Sequence, residues 1–162
     1  ISLRNITVST CGLTEKIMRF ADDMPQVNLA VSLHAPSDEI RLKLMPVAKS
    51  CSMSELLSVC RKYTEKTHRR ITFEYALIEG VNDSMENAAQ LAARLRGMLC
   101  HVNLIPLNRV SEKDFRGSAR KHAEKFAAVL SSKGIEVTVR RELGSDISAA
   151  CGQLRLTAES EG

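Results

Sequence analysis

Polar side chains recur at the points where short apolar runs of this 162-residue chain stop. Ile6 to Val8 closes on Ser9 and Thr10, and Leu29 to Val31 closes on Ser32, Leu33 and His34. Ile71 to Ile78 closes on Glu79-Gly80-Val81-Asn82-Asp83, and Val102 to Leu107 closes on Asn108. In parallel α/β architecture, groups at the carboxyl ends of successive strands face a shared cleft, and ligands bind there. Ser32 and His34 alternate with Leu33, so both can address one space while Leu33 packs the other way. Taken singly, each has a bland reading. His34 reads first as a hydrogen-bonded structural histidine, Ser9 and Thr10 as the close of a strand, and Asn108 as a loop cap behind Pro106. Their joint placement on one rim favours a site. A second chemistry lies in Gly144-Ser145-Asp146-Ile147-Ser148-Ala149-Ala150-Cys151-Gly152-Gln153-Leu154. Small neighbours leave the Cys151 sulfur accessible, as a nucleophile requires, although composition alone leaves an incidental loop cysteine equally open.

The elements that must carry these groups alternate. Strands are expected over residues 4–9, 27–34, 70–78, 101–107 and 135–140. Thr14 is expected to cap a helix to Asp22, with Glu15 in its first turn. Ser37-Asp38-Glu39 starts a short helix that Pro46 stops. Ser52 and Glu55 form a capping box for a helix to about Lys66, with Leu56, Leu57, Cys60 and Tyr63 as its apolar stripe. Asp83 and Glu86 suggest a second box, before a helix burying Ala88, Ala89, Leu91, Ala92, Leu95 and Met98. A polar loop at 109–117 should precede a helix from Ser118 to Lys133, with Ala119, Ala123, Phe126, Ala127 and Leu130 inward and Gly134 ending it. Residues 142–162 read as loop or short helix with a disordered tail from Thr157. The β-α order predicts a parallel sheet with right-handed crossovers.

Hydrophobic residues make up 44% and charged residues 26%, the balance of an ordinary globular domain, and the chain's length suits one such unit. The net charge of +4 permits a polyanionic partner without demanding one. Of the arginine pairs Arg69-Arg70 and Arg140-Arg141, the first reads as solvated surface. The five cysteines have no CxxC and no metal-ligand spacing, which argues against a zinc site or disulfide framework and fits reduced thiols in cytoplasm. No apolar run approaches membrane-spanning length, and no charged-then-apolar leader opens the chain. Ile1 stands only a few residues ahead of a strand, so the chain is expected to be a piece of something longer.

Five segments together carry a resemblance: Val8-Ser9-Thr10-Cys11-Gly12, the run Ala30 to Arg41 (AVSLHAPSDEIR), Gly80-Val81-Asn82-Asp83, the run His101 to Asn108 (HVNLIPLN), and Asp146 to Leu154 (DISAACGQL). They resemble the radical S-adenosylmethionine adenine C2-methyltransferases, the RlmN/Cfr family, in order from about residue 4 to 156. The resemblance implies a partial (βα) radical-SAM barrel: about four parallel core strands, a C-terminal strand and a loop. Residues 1–156 would be the C-terminal portion of a six-stranded barrel, and 157–162 a polar tail. It implies that Ser9, Ser32, Leu33, His34 and Asn108 contact S-adenosylmethionine and that Cys151 carries the methyl group as S-methylcysteine. In the family scheme one cosubstrate methylates the thiolate. A second is cleaved reductively at an iron–sulfur cluster, and the radical formed activates the S-methyl carbon for attack on adenine C2, in 23S rRNA and tRNA.

The three-cysteine CxxxCxxC loop that ligates the family's 4Fe–4S cluster is absent from this chain, as are its Gly-Glu segment, resolving cysteine and N-terminal accessory domain. A cluster needs thiolates on its irons, and Cys11, Cys51, Cys60 and Cys100 lack the spacing. No metal site is therefore expected here, and the piece alone should not turn over. Another class of reading is a non-catalytic α/β module that self-associates or pairs with another chain, because an open partial barrel leaves strand edges unpaired. A radical enzyme with another substrate is weaker, given the Cys151 segment.

Overall fold

The computed structural model describes residues 2–107 and 113–141, without the side chains of 113–119. Among the described residues five strands and five α-helices follow in the order β1 (Thr7–Thr10), α1 (Thr14–Asp23), β2 (Asn28–Ser32), α2 (Asp38–Leu44), α3 (Met53–Thr67), β3 (Ile71–Leu77), α4 (Met85–Leu95), β4 (Cys100–Pro106), α5 (Lys113–Ser132) and β5 (Glu136–Val139). The strands form one sheet in the order β1-β2-β3-β4-β5, every neighbouring pair parallel. Among the described strands the order never reverses, so they make no switch point of the doubly wound kind. Consecutive crossovers of one hand stack their helices on one face, as in a barrel wall.

Residue alternation bears this out. Leu29, Val31 and Leu33, then Ile71, Phe73, Tyr75 and Leu77, then Cys100, Val102 and Leu104 pack in one cluster with Ile17 of α1, Leu56 and Cys60 of α3, Leu91 of α4 and Phe126 of α5. Tyr75 and Phe126 are tilted rings with centroids 5.3 Å apart. Burying each large side chain stabilises the fold by roughly 1.5–3 kcal/mol, so the helix-covered face supplies most of the stability. The opposite face carries Thr7 and Ser9, Asn28, Ala30 and Ser32, Thr72 and Glu74, His101 and Asn103, and Glu136 and Thr138. A smaller apolar cluster, Leu44, Met45, Ala76, Ile78, Ile105 and Leu107, roofs the C-terminal end of that face.

Local signals worked where short-range chemistry decides. Ser52 accepts from the Glu55 N–H and the Glu55 carboxylate accepts from the Ser52 N–H, closing the expected box on α3. Ser37 caps α2. Several expectations are corrected. First, α1 is preceded by Leu13 with no side-chain cap, and Thr14 is already helical. Second, the box on α4 is Ser84 with Asn87, because Asp83 accepts from the Gly80 N–H within the preceding turn. Ala89, off the stripe of Ala88, Leu91, Ala92 and Leu95, is exposed. Third, α5 starts at Lys113, so the helix runs through Gly117. One glycine costs a helix only about 1 kcal/mol, which the burial of Ala123, Phe126 and Leu130 offsets. Fourth, Leu3–Asn5 forms a single 3-10 turn, which shortens β1. The Arg69 guanidinium is half-buried and donates to the Asn28 side chain, while Arg70 pairs with Glu136. The expected inward Ala119 side chain, the loop to residue 112 and everything after 141 lie outside the described residues.

Candidate functional site

At the C-terminal end of β2 the chain leaves the sheet through Ser32, Leu33 and His34. Leu33 is fully buried in the helix-side core, and its N–H donates to the Glu74 carbonyl at 3.0 Å. His34 is 1% exposed and holds φ of 56°, a left-handed conformation uncommon for a side-chain-bearing residue. Its N–H donates to the Glu74 carbonyl at 3.3 Å, and hydrogen bonds from Ala76 and Asn82 help hold it there. The Ala76 N–H donates to His34 Nδ1 at 2.8 Å, and the Asn82 side-chain amide donates to the His34 carbonyl at 2.7 Å. With Nδ1 accepting, the ring proton sits on Nε2. Burial, reinforced by the Arg41 charge, lowers the His34 pKa to about 4, so the imidazole is neutral near pH 7. His34 Nδ1 thus serves the framework and does not abstract protons.

Asn82 is the hub of this junction. It is fully buried, its amide also donates to the Ala76 carbonyl at 2.7 Å, and its Oδ1 accepts from the Ile78 N–H at 2.8 Å. Its backbone carbonyl accepts from the Tyr75 hydroxyl at 2.7 Å. One side chain therefore ties the end of β2 to the end of β3. The Gly80-to-Asp83 segment marked the place in the sequence, but nothing local showed which residue turned inward.

Of the rim residues expected from sequence, Ser32 and His34 meet at this junction. Ser32 is 7% exposed and aligned with Glu74, which is aligned with Asn103. Ser9 lies on the same sheet face but opposite Ala30, in the edge strand, and is exposed. Asn108 and Cys151 lie outside the described residues.

Arg41 was not singled out for chemistry. It is wholly buried, and its Nη2 donates to the Cys11 carbonyl at 2.8 Å, while Nε and Nη1 have no hydrogen-bond partner among the described residues. Burial lowers its pKa, opposed first by Cys51 and then by Asp38. Gly12, with φ of 100°, fits beside it because a Cβ there would stand 2.9 Å from Leu56 Cδ1 and 3.3 Å from Arg41 Nη2. The signal available in sequence was an arginine three residues before Leu44 on the buried stripe of α2.

Among the described residues the donor set does not fit an iron–sulfur cluster. Among the described residues no three His, Cys, Asp or Glu side chains gather to hold a metal. Burial pushes the Cys60 thiol up to about 12 and Cys100 to about 11, and Cys51 is also raised by burial. These are protonated core thiols, whereas cluster ligands are thiolates. Among the described residues no helix is long and apolar enough to cross a membrane.

No family model matches the chain. Over 155 residues, 96% of its length, the chain is 56% identical to a probable dual-specificity RNA methyltransferase RlmN of Thermoanaerobacter sp. (strain X514) and 57% identical to one of Clostridium perfringens (strain SM101 / Type A). It covers 45% of each. Over all 162 residues it is 56% identical to the like-named protein of Caldanaerobacter subterraneus subsp. tengcongensis, covering 47% of it. The chain thus spans about half the length of the curated relatives it matches. Among solved structures it superposes on a radical SAM methyltransferase from Sphaerobacter thermophilus with a TM-score of 0.80 and 48% identity, covering 96% of this chain and 46% of that one. A domain of pyruvate-formate lyase-activating enzyme from Bacteroides vulgatus shares the fold alone, with a TM-score of 0.60 at 15% identity over 83% of this chain and 80% of that domain. Five consecutive parallel strands, helices on one face and a polar opposite face are those of a partial radical-SAM barrel, and the chain belongs to the RlmN family of radical SAM methyltransferases.

Proposed function

We propose that this chain is the cosubstrate-holding and methyl-carrying part of an RNA methyltransferase that modifies C2 of adenine in 23S rRNA and tRNA. One observation carries most weight: the sheet face away from the helices is largely polar, and at its C-terminal end β2 leaves through a junction that holds a neutral His34 beside Ser32. Parallel sheets are ordinarily covered on both faces, so a polar inner face suits a ligand better than a packed core. In this reading Ser9, Ser32, Leu33, His34 and Asn108 surround S-adenosylmethionine. Ser32 and Asn108 offer side-chain hydrogen bonds, Leu33 and His34 offer backbone placement, and Ser9 approaches from the edge strand. Cys151 accepts the methyl group as a thioether and delivers it to the base.

When bound, the family's 4Fe–4S cluster supplies the reducing electron for radical chemistry. In this reading its ligands belong to the part of the relatives' length that this chain does not span. Adenine C2 is a poor nucleophile, and a sulfur-borne carbon that is itself made reactive answers that difficulty. The test is Cys151→Ala in the full-length protein: RNA methylation should be lost while iron and sulfide content stays at the parent level. Methylation near the parent rate would remove the role given to Cys151.

A second reading, a non-catalytic module pairing through its sheet edges, is favoured by the outer position of β1, whose residues are largely exposed. Sedimentation of the full-length protein separates the two: a monomer that methylates RNA excludes the module.

A further inference from the structure

Two adjacent arginine pairs occur in the chain, and the structure treats them differently. Arg69 and Arg70 stand just before β3 and are satisfied within the protein, by the Asn28 side chain and by Glu136. Arg140 and Arg141 directly follow β5, at the end of the sheet where the Ser32–His34 junction lies, and both are exposed. Neither makes an ion pair or side-chain hydrogen bond among the described residues. Their backbone is fixed all the same. The Arg140 N–H donates to the Leu104 carbonyl at 2.9 Å, which extends the β4–β5 ladder one step past Val139. Val137 and Val139 pack toward the helix-side core, so alternation puts Arg140 on the opposite, polar face with Glu136 and Thr138. It stands one step beyond the Tyr75–Leu104–Val139 row, level with Ala76 and Ile105. Ala76 is the residue whose N–H reaches His34 Nδ1. With β5 three strand spacings from β2, roughly 14 Å separates Arg140 from the His34 junction. A helix dipole, which accounts for basic residues in a last turn, is not what gathers this pair, since it follows a strand. The end of β3 and the first turn of α4 instead present exposed Glu79 and Glu86.

We propose that Arg140 and Arg141 grip the phosphate backbone of the substrate RNA beside the site. The assignment rests on the reading that this chain serves an RNA methyltransferase. A guanidinium has five donors and no acceptor, so its partner is an anion with several oxygens. A phosphodiester presents two free oxygens to that fork whatever base it carries, and a strand supplies one for each arginine. The single carboxylate of a cosubstrate would occupy only one of the two. Glu79 and Glu86 repel a polyanion, which leads the backbone along the β5 side of the mouth. A stacked nucleic-acid strand spaces its phosphates by roughly 3.4 Å. A contact about 14 Å from the His34 junction therefore falls within a few nucleotides of the modified base.

The experiment uses the full-length protein, an unmodified tRNA transcript and adenosylmethionine, with transcript affinity measured between about 50 and 200 mM salt. Arg140→Gln combined with Arg141→Gln should weaken transcript binding about tenfold or more. It should also reduce the slope of log affinity against log salt by roughly 1.5, while adenosylmethionine affinity stays within about twofold. Lys125→Gln combined with Lys133→Gln removes the same charge from exposed positions in and after α5, and should leave the slope at the parent value. An equal loss of slope in that lysine variant would assign the effect to net charge and overturn the proposal. Weaker adenosylmethionine binding with unchanged transcript affinity would assign the pair to the cosubstrate's carboxylate and overturn it as well. Unchanged affinity for both, in a parent that binds and methylates the transcript, overturns it while leaving the proposed function intact. A parent that binds no transcript sinks the underlying reading instead. Where the double arginine variant does not fold, Arg141→Gln alone is judged by the same comparison, with half the change in slope.

Discussion

Replacing Asn82 by alanine should be among the most damaging single changes in the chain, because one side chain closes three buried hydrogen bonds. The amide donates to the His34 and Ala76 carbonyls, both at 2.7 Å, and Oδ1 accepts from the Ile78 N–H at 2.8 Å. A hydrogen bond contributes about 1 kcal/mol net, but a buried backbone group left without a partner costs about 1–3 kcal/mol. Three orphaned groups beneath the apolar roof should therefore cost on the order of 3–4 kcal/mol, a large share of the roughly 5–15 kcal/mol that holds a domain together. At about 2–4 °C per kcal/mol for a chain near this size, the melting midpoint should fall by roughly 10 °C. Urea unfolding followed by circular dichroism measures the difference directly, with an unchanged m-value showing that compactness is preserved. Asn82→Asp separates hydrogen bonding from packing: it is nearly isosteric but sets an acceptor against two carbonyls, so it should be at least as damaging near pH 7. A loss under 1 kcal/mol for Asn82→Ala would refute the reasoning, showing that water or a rearranged turn satisfies those groups.

Two further outcomes follow from buried charge. The His34 imidazole titrates near 6.5 in the unfolded chain but at about 4 when folded, chiefly through burial. Between those values the unfolded state takes up a proton that the native state refuses, so the stability present above about pH 6.5 is lost as pH falls toward 4. The loss should be on the order of 3 kcal/mol, and His34→Gln should remove that component from a urea midpoint series; an identical pH slope in both proteins rules the explanation out. Arg41→Met should leave stability within about 1 kcal/mol of the parent or raise it, because among the described residues the buried guanidinium makes one hydrogen bond and leaves Nε and Nη1 without partners. A loss above 2 kcal/mol would mean that the charge is compensated by a group other than the Cys11 carbonyl.

What could be read without coordinates was whatever depends on neighbours three or four positions apart, or on alternation along a strand. The Ser52–Glu55 box, the Leu56-Leu57-Cys60-Tyr63 stripe and the apolar strands are of this kind. Their hydrogen bonds and buried faces are set by helical and strand periods that the residues themselves carry. The same locality explains the near misses. Asp83 and Ser84 are both good caps, and only the turn that engages Asp83 with the Gly80 N–H passes the role to Ser84.

Tertiary structure alone decided the rest. Ser32, Glu74 and Asn103 are dozens of residues apart, and nothing in their local sequence makes them neighbours. Strand register does, and register is set by how the opposite, apolar side of each strand packs on its helices. His34 was visible as a polar residue at a strand end, but its left-handed backbone and neutral ring come from Ala76 and Asn82, supplied by other segments. Alternation along one strand says which side chains share a face. Only the assembled sheet says which faces meet, because that choice is made by long-range burial.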